Sequence, residues 1–403
     1  MKMLPGIGVF GTGSVVRIIV PFLRAKGFVV VAIWGRTPAS AQQVAKELSI
    51  PFYTSKVDEV LLRKDVDLIF VLCSPHLHAQ ISVKALGIGK HVLCDRPAGI
   101  CQNDALKMVK ASQYYPSLIS IVNHSLRFLP AFTMMRKCLR DNYVGKRIDL
   151  CDVRIRISSL IDETEGYDWT CDERMGGGIL TLVGSHVIDL LSFLTGLRAT
   201  RVHGVIRTFE SETARVQGIR RVTAPDFATF QLELGGPIND YNLLTGDRAP
   251  LLVTVQLMSS NQAGAFNQEL VITGEAGALW VKGGDLHGRR NNAKEECLYL
   301  DVEDLENPTG NESLPRPYMK GLLKMVGALR EAFQSVEDRR GWVKEPVADA
   351  ATFQDGQYVQ AVMEALRKSS RHMSWERVIL ADEEEQDLNN PLLTRAAAML
   401  RHP

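Results

Sequence analysis

The residues best placed to do chemistry sit in one short segment, Cys94-Asp95-Arg96-Pro97, at the end of the apolar run His91-Val92-Leu93. It sets a carboxylate, a permanent cation and a rigid turn side by side. A guanidinium stays protonated in essentially any protein environment, so Arg96 can hold an anion or an oxygen but cannot shuttle a proton as a lysine amine can. The group that can titrate near neutral pH is His186, in Gly184-Ser185-His186, with Asp189 one helical turn further on. Two readings of His186 stay open: a general base for proton transfer, or a hydrogen-bonding histidine between domains at a helix start. Four residues before it, and so on the same helical face, stands Leu182, which offers no carboxylate.

A second constellation lies near the N-terminus. The run Ile7 to Phe10 leads into Gly11-Thr12-Gly13-Ser14-Val15-Val16. Gly11 permits a tight turn, Gly13 lets backbone approach a pyrophosphate, and a helix starting near Ser14 offers unpaired N–H groups to phosphates. Val16 replaces the third glycine, a position that mainly sets helix packing. The next strand ends Trp34-Gly35-Arg36-Thr37-Pro38, where an NAD enzyme carries an acidic residue for the ribose hydroxyls. Arg36 beside Thr37 suits a 2'-phosphate, which favours NADP(H); a solvated arginine at a turn is the alternative.

These groups need elements to position them. Strands are expected at Ile7 to Phe10, Phe28 to Trp34, Asp67 to Leu72, His91 to Cys94 and Leu118 to Val122, with helices at Ser14 to Lys26, Pro38 to Leu48, Leu77 to Leu86 and Asp104 to Ser112. Such alternation needs parallel pairing and predicts a doubly wound α/β sheet over residues 1–124. After about residue 145 the pattern becomes period-two alternation, as in Cys151, Val153, Ile155 and Ile157, in Ala228 to Leu234, and in Leu251 to Leu257. That predicts an open, largely antiparallel sheet with helices on one side, in a second α+β domain over residues 125–372. Helices are expected at Tyr318 to Gln334 and Ala348 to Lys368, the latter packing back on the first domain. Gly235 to Pro250 reads as a hairpin tip, and 373–403 as a charged tail with a weak helix near Leu392 to Leu400.

Bulk properties narrow the function. The 403 residues carry a net charge of +1 and no long block of like charges, which argues against nucleic acid or a membrane surface as the main partner. No apolar run is expected to approach the roughly 18–20 residues of a membrane span. Seven cysteines, with no Cys-x-x-Cys pair, read as reduced thiols and not as a metal site. With no charged-then-apolar leader at Met1 to Pro5, the expected location is cytoplasmic.

Segment 90–97 resembles the Gly-Lys-His-Val-x-Cys-Glu-Lys-Pro signature of the Gfo/Idh/MocA oxidoreductases, and further landmarks follow in order. Arg127-Phe128-Leu129-Pro130 is similar to the family's Arg-Phe-x-Pro, and Trp169 precedes Gly176-Gly177-Gly178. Gly184, His186 and Asp189 match its Asp-x-Gly-x-His-x-x-Asp helix. The resemblance implies that Arg96 and Leu182 stand where active members carry a catalytic lysine and aspartate, leaving His186 alone. It implies cofactor contacts from Cys73-Ser74-Pro75, a shortened form of the family's Thr-Pro-Asn turn, and from Asp95, Arg96 and Pro97, with the bond before Pro97 often cis. His78, in the same turn, is expected to support the following helix start more than to do chemistry. Met1 to Gly6, Ser82 to Lys90, Met175 to Gly178 and Asp338-Arg339-Arg340 resemble an animal branch, the glucose-fructose oxidoreductase domain-containing proteins, some of them described as secreted or matrix-associated.

The function expected from these readings is an NADP(H)-binding oxidoreductase-like protein, a homodimer or higher oligomer, with lost or strongly weakened catalysis. The alternatives are an active sugar or polyol oxidoreductase using His186 on a small carbohydrate, and a dimeric scaffold with a vestigial cofactor site.

Overall fold

The computed structural model describes residues 4–161, 167–209, 221–235, 250–260, 266–302, 315–334 and 341–381. The expected hairpin tip (236–249), the Asp338-Arg339-Arg340 motif, most of the tail and its weak helix lie outside these residues.

The chain opens with β1 (Gly6–Phe10), α1 (Ser14–Ala25), β2 (Val29–Trp34), α2 (Pro38–Glu47), β3 (Phe52–Thr54) and α3 (Val57–Leu61). It continues with β4 (Leu68–Val71), α4 (His78–Gly87), β5 (His91–Asp95), α5 (Gln102–Tyr114) and β6 (Ser120–Asn123). These six strands pair in parallel in the order β3-β2-β1-β4-β5-β6. Every residue of β1, β4 and β5 is buried, as expected where helices cover both faces of a parallel sheet. Strand order reverses between β1 and β4, so their carboxyl ends open the crevice in which such sheets hold ligands. The alternation pattern did not reveal β3 and α3, which at three and five residues are too short to show a period.

The second unit runs α6 (Pro130–Arg140), β7 (Ile148–Ile157), α7 (Ser185–Thr195), β8 (Arg198–Arg207), β9 (Phe227–Gly235) and β10 (Leu251–Ser259). The hairpins β11 (Asn267–Gly274), β12 (Gly277–Lys282), β13 (Asp285–Arg290) and β14 (Glu296–Tyr299) follow. Pairing is antiparallel except where β7 lies parallel to β10. The alternating residues behave as their period demands. Cys151, Val153, Ile155, Phe230, Val253 and Leu270 enter one core with α7, while Asp152, Arg154 and Gln256 face outward.

Residues Glu173–Thr195, in which short helical turns are interrupted by Gly176 and Gly178 at φ +94° and +96°, make a stretch of 23 residues long and apolar enough by length and composition to span a membrane. Its apolar window is 94% buried inside the protein, so its hydrophobicity is that of a core helix, with burial on all sides in place of an amphipathic stripe.

The last elements stitch the two units together. In α8 (Arg316–Gln334), Tyr318 joins the core of the second sheet, whereas Leu322, Met325, Val326 and Leu329 pack with β1, α1 and β4 of the first. Then β15 (Ala351–Thr352) adds antiparallel to β6, and α9 (Phe353–His372) packs on α5 and β8 before β16 (Glu376–Arg377) pairs with β8. The helix expected from Ala348 starts five residues later. Thr352 and Asp355 form a reciprocal capping box that sets its first turn, and Ala351–Thr352 are claimed by the sheet.

Candidate functional site

At the carboxyl ends of the parallel strands a narrow cleft is lined by Val15, Arg96, Asn123, Ser125, His186, Tyr318 and Leu322. Five separate parts of the chain meet there: the start of α1, the ends of β5 and β6, the start of α7 and the start of α8.

Beside it, the glycine turn is built to accept phosphate. Gly11 has φ +139°, and a Cβ there would lie 2.6 Å from the Leu72 carbonyl oxygen, so no other residue fits. An added Cβ on Gly13 would meet nothing within 4 Å, which leaves open space in front of the turn. Gly13 also caps α1 without a side-chain bond, and the first turn of α1 has no acidic residue. Ser14 and Val15 therefore present backbone N–H groups to that space with a favourable dipole. These residues fit the pyrophosphate of a dinucleotide.

The end of β2 is mixed. Arg36 is exposed and faces solvent, consistent with reaching a ligand phosphate. Thr37 has a different job: its hydroxyl caps α2, accepting from the Ser40 N–H at 3.2 Å and bonding the Ser40 hydroxyl at 2.9 Å. Trp34 is buried against Phe10, with ring centroids 5.8 Å apart.

The turn after β4 is tied to the turn after β5. His78 places Nδ1 2.9 Å from the Pro97 carbonyl and Nε2 2.8 Å from the Cys73 carbonyl. It therefore clamps the two turns together, where the sequence suggested support for a helix start. Pro75 is buried at the head of the short turn Pro75–Leu77, with Ser74 as its cap residue. Burial pushes the Cys73 thiol up to about 12, which keeps it protonated and unreactive at neutral pH.

The Arg96–Pro97 peptide is cis. Asp95 accepts from the Arg96 backbone N–H at 2.9 Å, from its guanidinium Nη1 at 2.9 and 3.0 Å, and from Asn123 Nδ2 at 2.9 Å. The guanidinium is thus neutralised within its own turn. Among the described residues its Nε–H has no partner, and neither do Asn123 Oδ1, His186 Nδ1 or the Tyr318 hydroxyl, all of them buried.

His186 follows a π-helical turn, Leu180–Gly184, and is 1% exposed. Its ring meets Tyr318 edge-on at 4.9 Å and His124 at 5.4 Å. The wider π turn breaks the four-residue register with Leu182, which does not line the cleft. Burial, the Arg96 charge and His124 hold the His186 pKa well below its ordinary value, and burial lowers that of His124. Both rings are neutral at pH 7. As pH falls below the unfolded value of about 6.5, the unfolded chain takes up protons that the folded one refuses, so stability is full above that pH and lost below it. Chemical denaturation from about pH 7.5 to about pH 5 should show a falling midpoint, with a flatter slope in His186→Gln. Parallel slopes in the two proteins would refute the assignment.

Asp189 does not enter the cleft. Arg127, in the turn Ser125–Phe128, donates to its carboxylate from Nε at 2.8 Å and Nη2 at 2.5 Å, and lies 3.4 Å from Asp355, which pairs with Arg198 at 3.0 Å. The Arg-Phe-x-Pro and His-x-x-Asp motifs therefore form one buried interdomain ion network. Sequence reasoning missed Asn123, Ser125 and Tyr318. Asn123 and Ser125 flank the end of a recognised strand, a usable signal, whereas Tyr318 has none.

A parallel nucleotide-binding sheet, a glycine turn aimed at phosphate and an interdomain cleft at the switch point define a dinucleotide-dependent oxidoreductase architecture. The comparisons agree. Residues 6–121 match the model for the oxidoreductase family with an NAD-binding Rossmann fold, and residues 132–280 match the GFO/IDH/MocA C-terminal domain. The chain belongs to the Gfo/Idh/MocA oxidoreductase family. It is 45% identical to glucose-fructose oxidoreductase domain-containing protein 2 of Homo sapiens, over 97% of each chain. To protein 1 of Mus musculus it is 44% identical, over 95% of each. Among solved structures, levoglucosan dehydrogenase in complex with NADH has the same fold, with TM-score 0.73 at 18% identity, covering 94% of this chain and all of that one.

Proposed function

We propose that this protein is a cytoplasmic NADP(H)-binding member of the family that retains its cofactor while its catalysis is lost or strongly weakened. One observation carries this reading: the family's lysine position holds Arg96, ion-paired to Asp95, and the histidines near it, His186 and His124, are buried and neutral. The nicotinamide would supply or accept hydride; Gly11, Thr12, Gly13, Ser14 and Val15 would hold its phosphates, and Arg36 the 2'-phosphate. A small carbohydrate is the proposed ligand of the cleft. Seven free cysteines, three of them buried, suit a reducing compartment. The outward face of the second sheet carries Leu150 and Met258, 44% and 38% exposed, and suits pairing with a second copy.

Mass spectrometry of small molecules released from the native protein should identify NADP(H). Recovery of no nicotinamide, together with no binding of added NADPH, would leave the scaffold reading. Arg36→Ala should weaken NADPH binding about tenfold with NADH unaffected. Equal loss for both would refute the 2'-phosphate role.

A further inference from the structure

Three buried tyrosines distinguish one place in this fold. The Tyr358 hydroxyl accepts from the Ala199 N–H at 2.8 Å, and the Tyr143 hydroxyl donates to Glu296 at 2.5 Å. Tyr318, 4% exposed, has a hydroxyl with no partner among the described residues. Buried polar atoms are nearly always hydrogen-bonded, and leaving one unpaired is costly. The unpaired atoms also converge: Arg96 Nε, Asn123 Oδ1, His186 Nδ1 and the Tyr318 hydroxyl belong to residues lining the same cleft.

Resting on the cofactor-binding reading above, we propose that Tyr318 and Arg96 form a two-donor seat for an uncharged carbonyl or hydroxyl oxygen of a small ligand, with Tyr318 as its specificity-determining residue. Arg96 still has an N–H to give, but Asp95 has already balanced its charge. A carboxylate would enter without a free cation to meet it, at a desolvation cost that a neutral oxygen avoids. Asn123 Oδ1 is an acceptor and suits a neighbouring hydroxyl. The ring is held for this role by edge contacts to His186 at 4.9 Å and Phe266 at 5.7 Å. Burial also raises the phenol pKa, so Tyr318 is an O–H donor throughout the physiological range.

Calorimetric titration of dihydroxyacetone and of pyruvate, with and without NADPH, tests the seat. Dihydroxyacetone should bind the wild type and bind Tyr318→Phe about tenfold more weakly, with NADPH affinity the same in both proteins. Pyruvate should bind more weakly than dihydroxyacetone. Because the ligand-free hydroxyl has no partner, Tyr318→Phe should also unfold no earlier than the wild type. Equal dihydroxyacetone affinity in wild type and Tyr318→Phe, no dihydroxyacetone binding by the wild type, preference for pyruvate, or marked destabilisation of the variant would each overturn the proposal. Failure of the wild type to bind NADPH, with the dihydroxyacetone difference intact, would instead overturn the cofactor reading alone.

Discussion

Asp189→Ala is expected to destabilise the protein by about 3–5 kcal/mol, the usual cost of stripping one partner from a buried ion pair. Two Arg127 donors, at 2.5 and 2.8 Å, would lose their acceptor inside a site where the two side chains are 9% and 2% exposed. Asp355 at 3.4 Å would recover only part of the loss, since it is already engaged with Arg198. Because Arg127 leaves the first unit and Asp189 sits on α7 of the second, the effect should be felt in both. Urea unfolding followed by tryptophan fluorescence would measure it. A loss under about 1 kcal/mol would show that water or Asp355 satisfies the guanidinium, and that the pair is no interdomain anchor.

Arg96→Lys is expected to raise the rate of NADPH oxidation with dihydroxyacetone by about 10²- to 10⁴-fold, the range attributed to a positioned acid or base. The substitution swaps a fixed cation for an amine that can exchange a proton while keeping Asp95 as partner. Adding Leu182→Asp should contribute much less, because the π turn at Leu180–Gly184 carries residue 182 away from the cleft lining. Stopped-flow absorbance of the reduced cofactor gives the rate. An unchanged rate in Arg96→Lys, with NADPH and dihydroxyacetone both bound, would show that residue 96 does not limit turnover.

Much of the fold was legible because it is written in local patterns. Continuous apolar runs marked β1, β4 and β5, and period-two alternation marked β7, β9 and β10, since burial on both faces or on one leaves those signatures whatever else the chain does. The capping box that moved the start of α9 was also present in the sequence, at Thr352 and Asp355, but helical periodicity alone ran past it. The apolar content of Glu173–Thr195 likewise reflects burial, since 94% of its apolar window lies inside the protein.

The site divides along the same line. The glycine turn, the absence of a carboxylate after β2 and the Asp95-Arg96-Pro97 turn after β5 are properties of neighbouring residues, so the sequence by itself determined the nucleotide-binding architecture and the charged groups at the end of β5. Partnership between distant residues was decided by tertiary structure alone. It joined Arg127 to Asp189, bent His78 across to Pro97, tied Asn123 to Asp95 and brought Tyr318 to the cleft. Tyr318 is the clearest case. It arrives because α8 starts in one core and continues along the other, and no local spacing encodes which two cores a helix will join.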